Sequence, residues 1–314
     1  MKQKRLFGIV TAVMMLVVSL TSCHWFGRVE ETGNKDLQFC SVEFEDSVKV
    51  FESTAYQKLD VVFPVEEDTS RLAQNVLSWL CEQVSKCSYP DWSGEWIDKE
   101  LSLETVTPML SQYEGSFAES LVNFYAQKGL DKMKESLSEE AAEGFEGSYL
   151  NELEIGLDEQ TDGYLTLSFA YDVYLGGAHG SRMEEGITFR KSDGKRLGWE
   201  IFDMDKRAEL IEKVKAGLKD YFGDVDEENE DSDAELFDHL MILDDPDTPE
   251  NELEFGIPLP RTAPWLTKDG FVFIYQQYEI AAYAYGMPSF TIPAKELLPL
   301  LTEEGQAWLS SVIQ

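Results

Sequence analysis

The sequence predicts an α+β fold, with antiparallel sheets and packed helices in two consecutive parts, and three observations carry that prediction. Apolar and polar residues alternate over several runs, as at Leu165, Leu167, Phe169, Tyr171 and Val173, which is the period of half-buried strands. Other segments carry apolar residues at three- and four-residue spacing, the period of an amphipathic helix. The strands are separated by tight turns and not by a regular succession of helices. Antiparallel pairing therefore fits better than a doubly wound parallel sheet, and no internal repeat is visible.

In chain order, residues 38–48 and 57–64 alternate and predict two strands, the second closed by Pro64. A helix begins near Asp68, Thr69 and Ser70 and turns Leu72, Val76, Leu77, Leu80 and Val84 toward that sheet. Residues 88–116 have no clean period and read as loop or short helix. Residues 117–136 resume a helical pattern through Phe117, Leu121, Phe124, Tyr125 and Met133, with Gly129 weakening its middle. An acid-rich stretch from Glu135 to Gln160 contains Gly144 and Gly147 and suggests a junction, dividing the body into 38–145 and 146–314.

In the second part, Leu153, Ile155 and Leu157 alternate, Asp162-Gly163 supplies a tight turn, and the run from Leu165 to Val173 returns as a hairpin. Gly176 and Gly177 break that strand. Another runs through 182–190, and the Ser192-Asp193-Gly194-Lys195 turn leads to Leu197–Ile201. A helix follows at 205–222 and a strongly apolar strand at 270–280. Helical segments at 294–301 and 303–313 end the chain, the last with Thr302 as its N-cap.

Charge narrows the function. The 314 residues hold 26 Lys and Arg against 60 Asp and Glu, a formal net charge of −34, which excludes a nucleic-acid binder because phosphate contacts need basic surface. With 43% hydrophobic residues the chain is a folded body and not an acidic coil. Three His and four Cys leave little for a nitrogen or sulfur metal centre, so no metal and no cofactor is expected.

The first 22 residues read as a lipoprotein signal peptide. Met1 to Arg5 carry three positive charges, and Leu6 to Leu20 form an uncharged run of 15 residues. As a helix that run spans about 22 Å, short of the roughly 30 Å hydrocarbon core. Leu20-Thr21-Ser22-Cys23 has the form of a bacterial lipobox, in which Cys23 becomes the lipidated first residue and anchors the protein to the membrane. Residues 23–37 then form a tether, with His24, Trp25 and Phe26 at the lipid interface. Removing Lys2, Lys4 and Arg5 makes the mature charge −34 − 3 = −37. The expected location is the cell envelope, facing periplasm or exterior, where any protein partner is expected to be basic. Cys81 and Cys87 are the nearest pair for a disulfide. Buried, unpaired thiols are the other reading, favoured because no dense cysteine framework is present.

Three blocks carry a family resemblance: YDVYLGGAHG at Tyr171–Gly180, FRKSDGKRLGWEIF at Phe189–Phe202, and GFVFIYQQYEIAAYAYGMPSFTIP at Gly270–Pro293. In order and spacing they resemble the DUF3298 family over about 150–300, the last block being the most specific. The first half, with its YQKLDVVFPVEED run before an amphipathic helix, is weakly similar to the DUF4163-like domain that often precedes it. The resemblance implies an extracytoplasmic binding or sensing module without enzymatic activity, since some family members form the external part of lysozyme-sensing anti-sigma factors and others accompany polysaccharide deacetylases. Only five residues precede the apolar run here, so a cytoplasmic sigma-binding segment is not expected, nor is a deacetylase domain.

Candidate site residues follow from local chemistry. His179, within Gly176-Gly177-Ala178-His179-Gly180, reads chiefly as a structural histidine satisfying the backbone of a turn, with ligand contact as the second reading; no nucleophile elbow accompanies it, so no catalytic residue is assigned. Tyr275, Tyr278, Tyr283 and Tyr285, with Phe290, form an aromatic run that divides between sheet core and sugar stacking, and Tyr278, Tyr283 and Tyr285 are the candidate ligand contacts. Residues 224–238 hold nine acids. Asp224, Asp226, Glu228 and Glu235 fall at positions 1, 3, 5 and 12 of a calcium loop, but Asn229 stands where the glycine is required, so no metal is expected. The stretch reads as a solvated loop. Its Asp224, Asp226, Glu227, Glu228, Glu230, Asp231, Asp233 and Glu235 are the candidate docking residues for a basic partner. Together these features predict a lipid-anchored envelope module that binds a basic, lysozyme-like protein. The alternative is an accessory lipoprotein that binds peptidoglycan or another glycan.

Overall fold

The computed structural model describes residues 36–87, 115–223, 232–241 and 256–313. The signal peptide, Cys23 and its tether up to residue 35, most of 88–116, and Asp224 to Asp231 lie outside the described residues. No helix among the described residues is long and apolar enough to cross a membrane.

Five strands form one sheet in the order β1-β2-β3-β4-β5: Phe39–Val50, Ser53–Pro64, Ser148–Gln160, Tyr164–Tyr174 and Ser181–Arg190. β1 and β2 are a single long hairpin, paired from Phe39↔Pro64 to Val50↔Ser53. Its turn is Phe51-Glu52, with Phe51 at φ 53°. The alternation alone placed these strands at 38–48 and 57–64; they run further because a left-handed phenylalanine makes the turn where no Asn-Gly or Asp-Gly signal stands.

The predicted antiparallel hairpin across Asp162-Gly163 is present as β3 and β4. β2 and β3, by contrast, pair in parallel, Thr54 to Val61 against Ser148 to Ile155. The division expected at 145/146 therefore falls between two neighbouring strands of one sheet. The acid-rich stretch that suggested it includes the exposed end of a helical crossover, and parallel neighbours need such a connection.

Helices α1 (Arg71–Lys86) and α2 (Phe117–Ala142) cover one face of this sheet. The Ser70 side chain caps α1 by accepting from Ala73 N, and Ser116 with Glu119 forms a reciprocal capping box on α2. Leu59, Val61, Leu153, Leu165 and Phe169 from the sheet pack against Val76, Leu80, Leu121 and Tyr125 from the helices. Gly129 has a reason to interrupt α2: a Cβ there would lie 2.5 Å from the Cys87 carbonyl oxygen. Bringing the helices this close lets that oxygen accept from Asn151 Nδ2 at 2.8 Å, and the same amide reaches Gln57 at 2.9 Å. Cys81 and Cys87 are buried free thiols, the favoured of the two readings.

A second cluster is built from residues beyond 196 together with Tyr164 of β4. It comprises α3 (Arg207–Phe222), α4 (Ser232–Asp238), a three-stranded sheet of β6 (Trp265–Thr267), β7 (Gly270–Ile274) and β8 (Ser289–Ile292), and the closing helices α5 (Ala294–Leu297) and α6 (Glu303–Val312). Thr302 caps α6 as expected. Two expectations change here. Residues 232–238 are helical and not loop, because Leu236 is buried in this cluster. The strand expected to run to Ile280 ends at Ile274, because Glu279 accepts from Gln276 N at 2.7 Å and from Arg261 N at 2.6 Å and so folds the chain into a turn.

The two clusters meet through β6, which lies on the far face of β4 and β5. Thr166 donates to Leu266 O (2.7 Å), Leu266 N donates to Thr188 Oγ1 (2.9 Å), and the two threonine hydroxyls bond each other at 3.0 Å. Gly186 leaves room for the Trp265 ring.

Candidate functional site

The site grows from two turns. One is the Leu175–Gly180 connection between β4 and β5, where Gly176 and Gly177 take φ values of 87° and 89°, open to glycine at little cost. The other is the 275–286 segment after β7. Their meeting is fixed along β5, the edge of the five-stranded sheet. Arg182 N donates to Gln277 Oε1 (2.9 Å), Glu184 N to Gln276 Oε1 (3.1 Å), and Gln276 Nε2 to the Glu184 carbonyl (2.7 Å). Two side-chain amides thus satisfy edge groups that a further strand would otherwise pair.

With that clamp in place, His179 and the 278–283 aromatics come together, although 99 residues separate His179 from Tyr278. The imidazole Nδ1 lies 2.9 Å from the Gly180 carbonyl, and Nε2 lies 3.0 Å from the Tyr278 hydroxyl. Its ring stacks on Tyr283, with centroids 3.9 Å apart and planes at 20°. Tyr278 completes the group, 5.7 Å from Tyr283. The backbone contact is the one expected of a structural histidine; the two ring contacts go beyond it.

Tyr278 is the unusual member. Its φ of 63° lies in the left-handed region that bulky side chains avoid, and 54% of its surface is exposed. An exposed ring held in a costly conformation by its neighbours has the character of a functional position. Glu279 beside it supplies the restraint by accepting from Gln276 N and Arg261 N; burial raises its carboxyl pKa while those N–H groups pull the other way.

The remaining candidates separate. Tyr275 is wholly buried, its hydroxyl donating to the Pro258 carbonyl, and Phe290 stacks on Phe273, so these two serve the core. Tyr285 belongs to another aromatic group, with Phe222 and His239, whose rings are parallel at 4.7 Å. Tyr221 donates to the Tyr285 carbonyl at 2.7 Å. Of the acidic docking candidates, Asp233 and Glu235 fall in α4, and Asp224, Asp226, Glu227, Glu228, Glu230 and Asp231 lie outside the described residues. No group of three potential ligands could hold a metal ion among the described residues. The sequence reading missed Gln276 and Gln277; an adjacent pair of glutamines after an apolar strand is the only trace they leave.

The geometry lies on a fold with solved counterparts. The profile of the DUF3298 family, described as a protein of unknown function, matches residues 200–295. That span holds Tyr278 and Tyr283 but not His179. The crystal structure of a DUF3298 family member from Bacteroides fragilis is similar with a TM-score of 0.64 at 18% identity, over 89% of this chain and all of that one. A DUF3298 family protein from Pseudomonas aeruginosa follows with a TM-score of 0.48 at 13% identity, over 87% and 97% of the two chains. No curated protein matches. At 18% identity the likeness to the Bacteroides fragilis structure carries the α+β fold alone.

Proposed function

We propose that the chain is a non-enzymatic binding module of the bacterial cell envelope, anchored by lipid on Cys23 after removal of the signal peptide, with a DUF4163-like first part. Its partner in this reading is a basic, lysozyme-like protein. The observation that carries it is the Tyr278 ring, projecting into solvent from a conformation that Glu279, Gln277 and His179 enforce. His179 and Tyr283 stack on each other, while Tyr278, tilted at 35° to both, stays exposed as a protruding anchor, the kind of residue that dominates protein interfaces. A tyrosine face also attracts Arg and Lys, and a chain of net charge −34 draws such partners toward it.

A second reading keeps the same residues. A free tyrosine face with an imidazole at its edge also suits a sugar ring, which makes peptidoglycan the alternative ligand. Titration of the protein against a lysozyme-type enzyme at low and physiological salt, with muropeptides as competitors, separates the two. Binding that weakens with salt and is lost in Tyr278→Ala supports the protein partner; binding that persists in salt and yields to muropeptides replaces it with the glycan. The anchor has its own test: Cys23→Ala should abolish acylation, and an unchanged lipid-modified product in that variant would remove the anchoring proposal.

A further inference from the structure

The face of the five-stranded sheet opposite α1 and α2 is covered by β6 only at β4 and β5. Across β1 to β3 no element among the described residues covers it. Register places Glu43, Asp60 and Glu154 directly beside one another on three adjacent strands, with Glu43 and Glu154 exposed and Asp60 half-buried. Like charges in directly opposed positions destabilise a sheet, so this row opposes the fold that contains it.

The neighbouring row shows what the fold does elsewhere. There Glu45, Lys58, Glu152, Asp172 and Arg182 follow one another across all five strands. Lys58 Nζ meets Glu152 at 2.7 Å, and Arg182 bridges Asp172 and Glu184. Both cations of that row are thereby engaged; among the described residues Glu43, Asp60 and Glu154 form no ion pair, Asp60 accepting only from Ser41 Oγ at 2.7 Å and Glu154 feeling the Lys58 and Arg182 charges at longer range. The carboxylates are also not gathered closely enough to hold a metal ion. On the other side of the paired row lie half-exposed Tyr56, then Leu150 and Tyr174. Tyr174 packs beside Gly180, the neighbour of His179, so this apolar row leads toward the Tyr278 anchor.

We infer that this open sheet face is the docking surface for the basic protein partner, with Lys and Arg of the partner relieving the Glu43–Asp60–Glu154 row while Tyr56, Leu150 and Tyr174 provide apolar contact. The inference rests on the proposed reading that the partner is basic and adds where it docks. Charge complementarity selects the occupant. At about 4.8 Å between strands, three aligned carboxylates span roughly 10 Å, a width matched by two or three basic side chains on a flat protein surface. A second copy of this acidic chain would add repulsion.

The test uses the full chain and a lysozyme-type enzyme as the basic probe. One variant combines Glu43→Gln, Asp60→Asn and Glu154→Gln; a control with the same loss of charge combines Glu139→Gln, Glu143→Gln and Glu146→Gln at exposed positions at and beyond the end of α2. The sheet variant should bind at least tenfold more weakly at low salt and show a flatter dependence on salt, with no drop in melting temperature, while the control binds as the native protein does. Equal weakening of both variants would reduce the effect to total charge and overturn the inference. Native-like binding by the sheet variant would also overturn it, leaving the basic-partner reading intact. If the native chain itself does not bind at low salt, both fail together.

Discussion

Replacing Tyr278 separately by Ala and by Gly isolates the strain in the candidate site. Both variants lose the same interactions, namely the hydrogen bond to His179 Nε2 and the ring contact with Tyr283. They differ in the backbone. At φ 63° a residue with a Cβ carries a penalty of about 1–2 kcal/mol that glycine escapes. Glycine's greater freedom in the unfolded chain returns about 0.4–1 kcal/mol of that gain. The Gly variant should therefore be about 1 kcal/mol more stable than the Ala variant, measured by urea denaturation with matched slopes. Against the native protein, losing a half-exposed hydrogen bond costs about 0.5–1.5 kcal/mol, so Tyr278→Gly should be close to native stability. If both variants also lose partner binding, the site holds strain for the sake of contact. An Ala variant as stable as the Gly variant would refute the argument, because the conformation would then impose no cost on a side chain.

Three further predictions test the packing and the charges. Gly129→Ala, which in an exposed helix would stabilise by about 1 kcal/mol, should instead destabilise by about 1–3 kcal/mol, because its Cβ would press on the Cys87 carbonyl and the Asn151 hydrogen bond; a raised melting temperature would contradict the close helix approach. Burial pushes the Cys81 thiol up to about 12 and raises Cys87 as well, so half-buried Cys40 should label first with a thiol reagent near neutral pH, and Cys81 and Cys87 only on unfolding. The Arg190 guanidinium holds the Asp193 carboxyl down to about 2 from an ordinary 3.8. The pair's contribution is thus present above pH 3.8 and fades as pH falls toward 2, and Asp193→Asn should flatten the acid-denaturation curve within that window.

Local pattern was enough for the elements that depend on local chemistry. Side-chain alternation marked the β3–β4 hairpin with its Asp162-Gly163 turn, and three- and four-residue spacing marked α1, α2 and α3. The cap at Thr302 was legible because it needs only one hydroxyl at the right offset, and the start of α1 was legible to within the Asp68-Thr69-Ser70 run. Net charge and cysteine usage were equally open, since both are sums over residues. What the chain's order hid was every feature made by partners distant along it. The parallel pairing of β2 with β3 depends on the crossover through the helices, so the division expected at 145/146 falls between two neighbouring strands of one sheet. The strand after Gly270 stops where Glu279 caps backbone groups on two separate segments, which no alternation records. His179 and the tyrosine run were each visible as candidates, but only the glutamine clamp on β5 decided that Tyr278 and Tyr283 join the imidazole while Tyr285 goes to His239. The row of Glu43, Asp60 and Glu154 likewise exists only through register, because cross-strand neighbours are set by how strands align and not by how far apart residues stand in the chain.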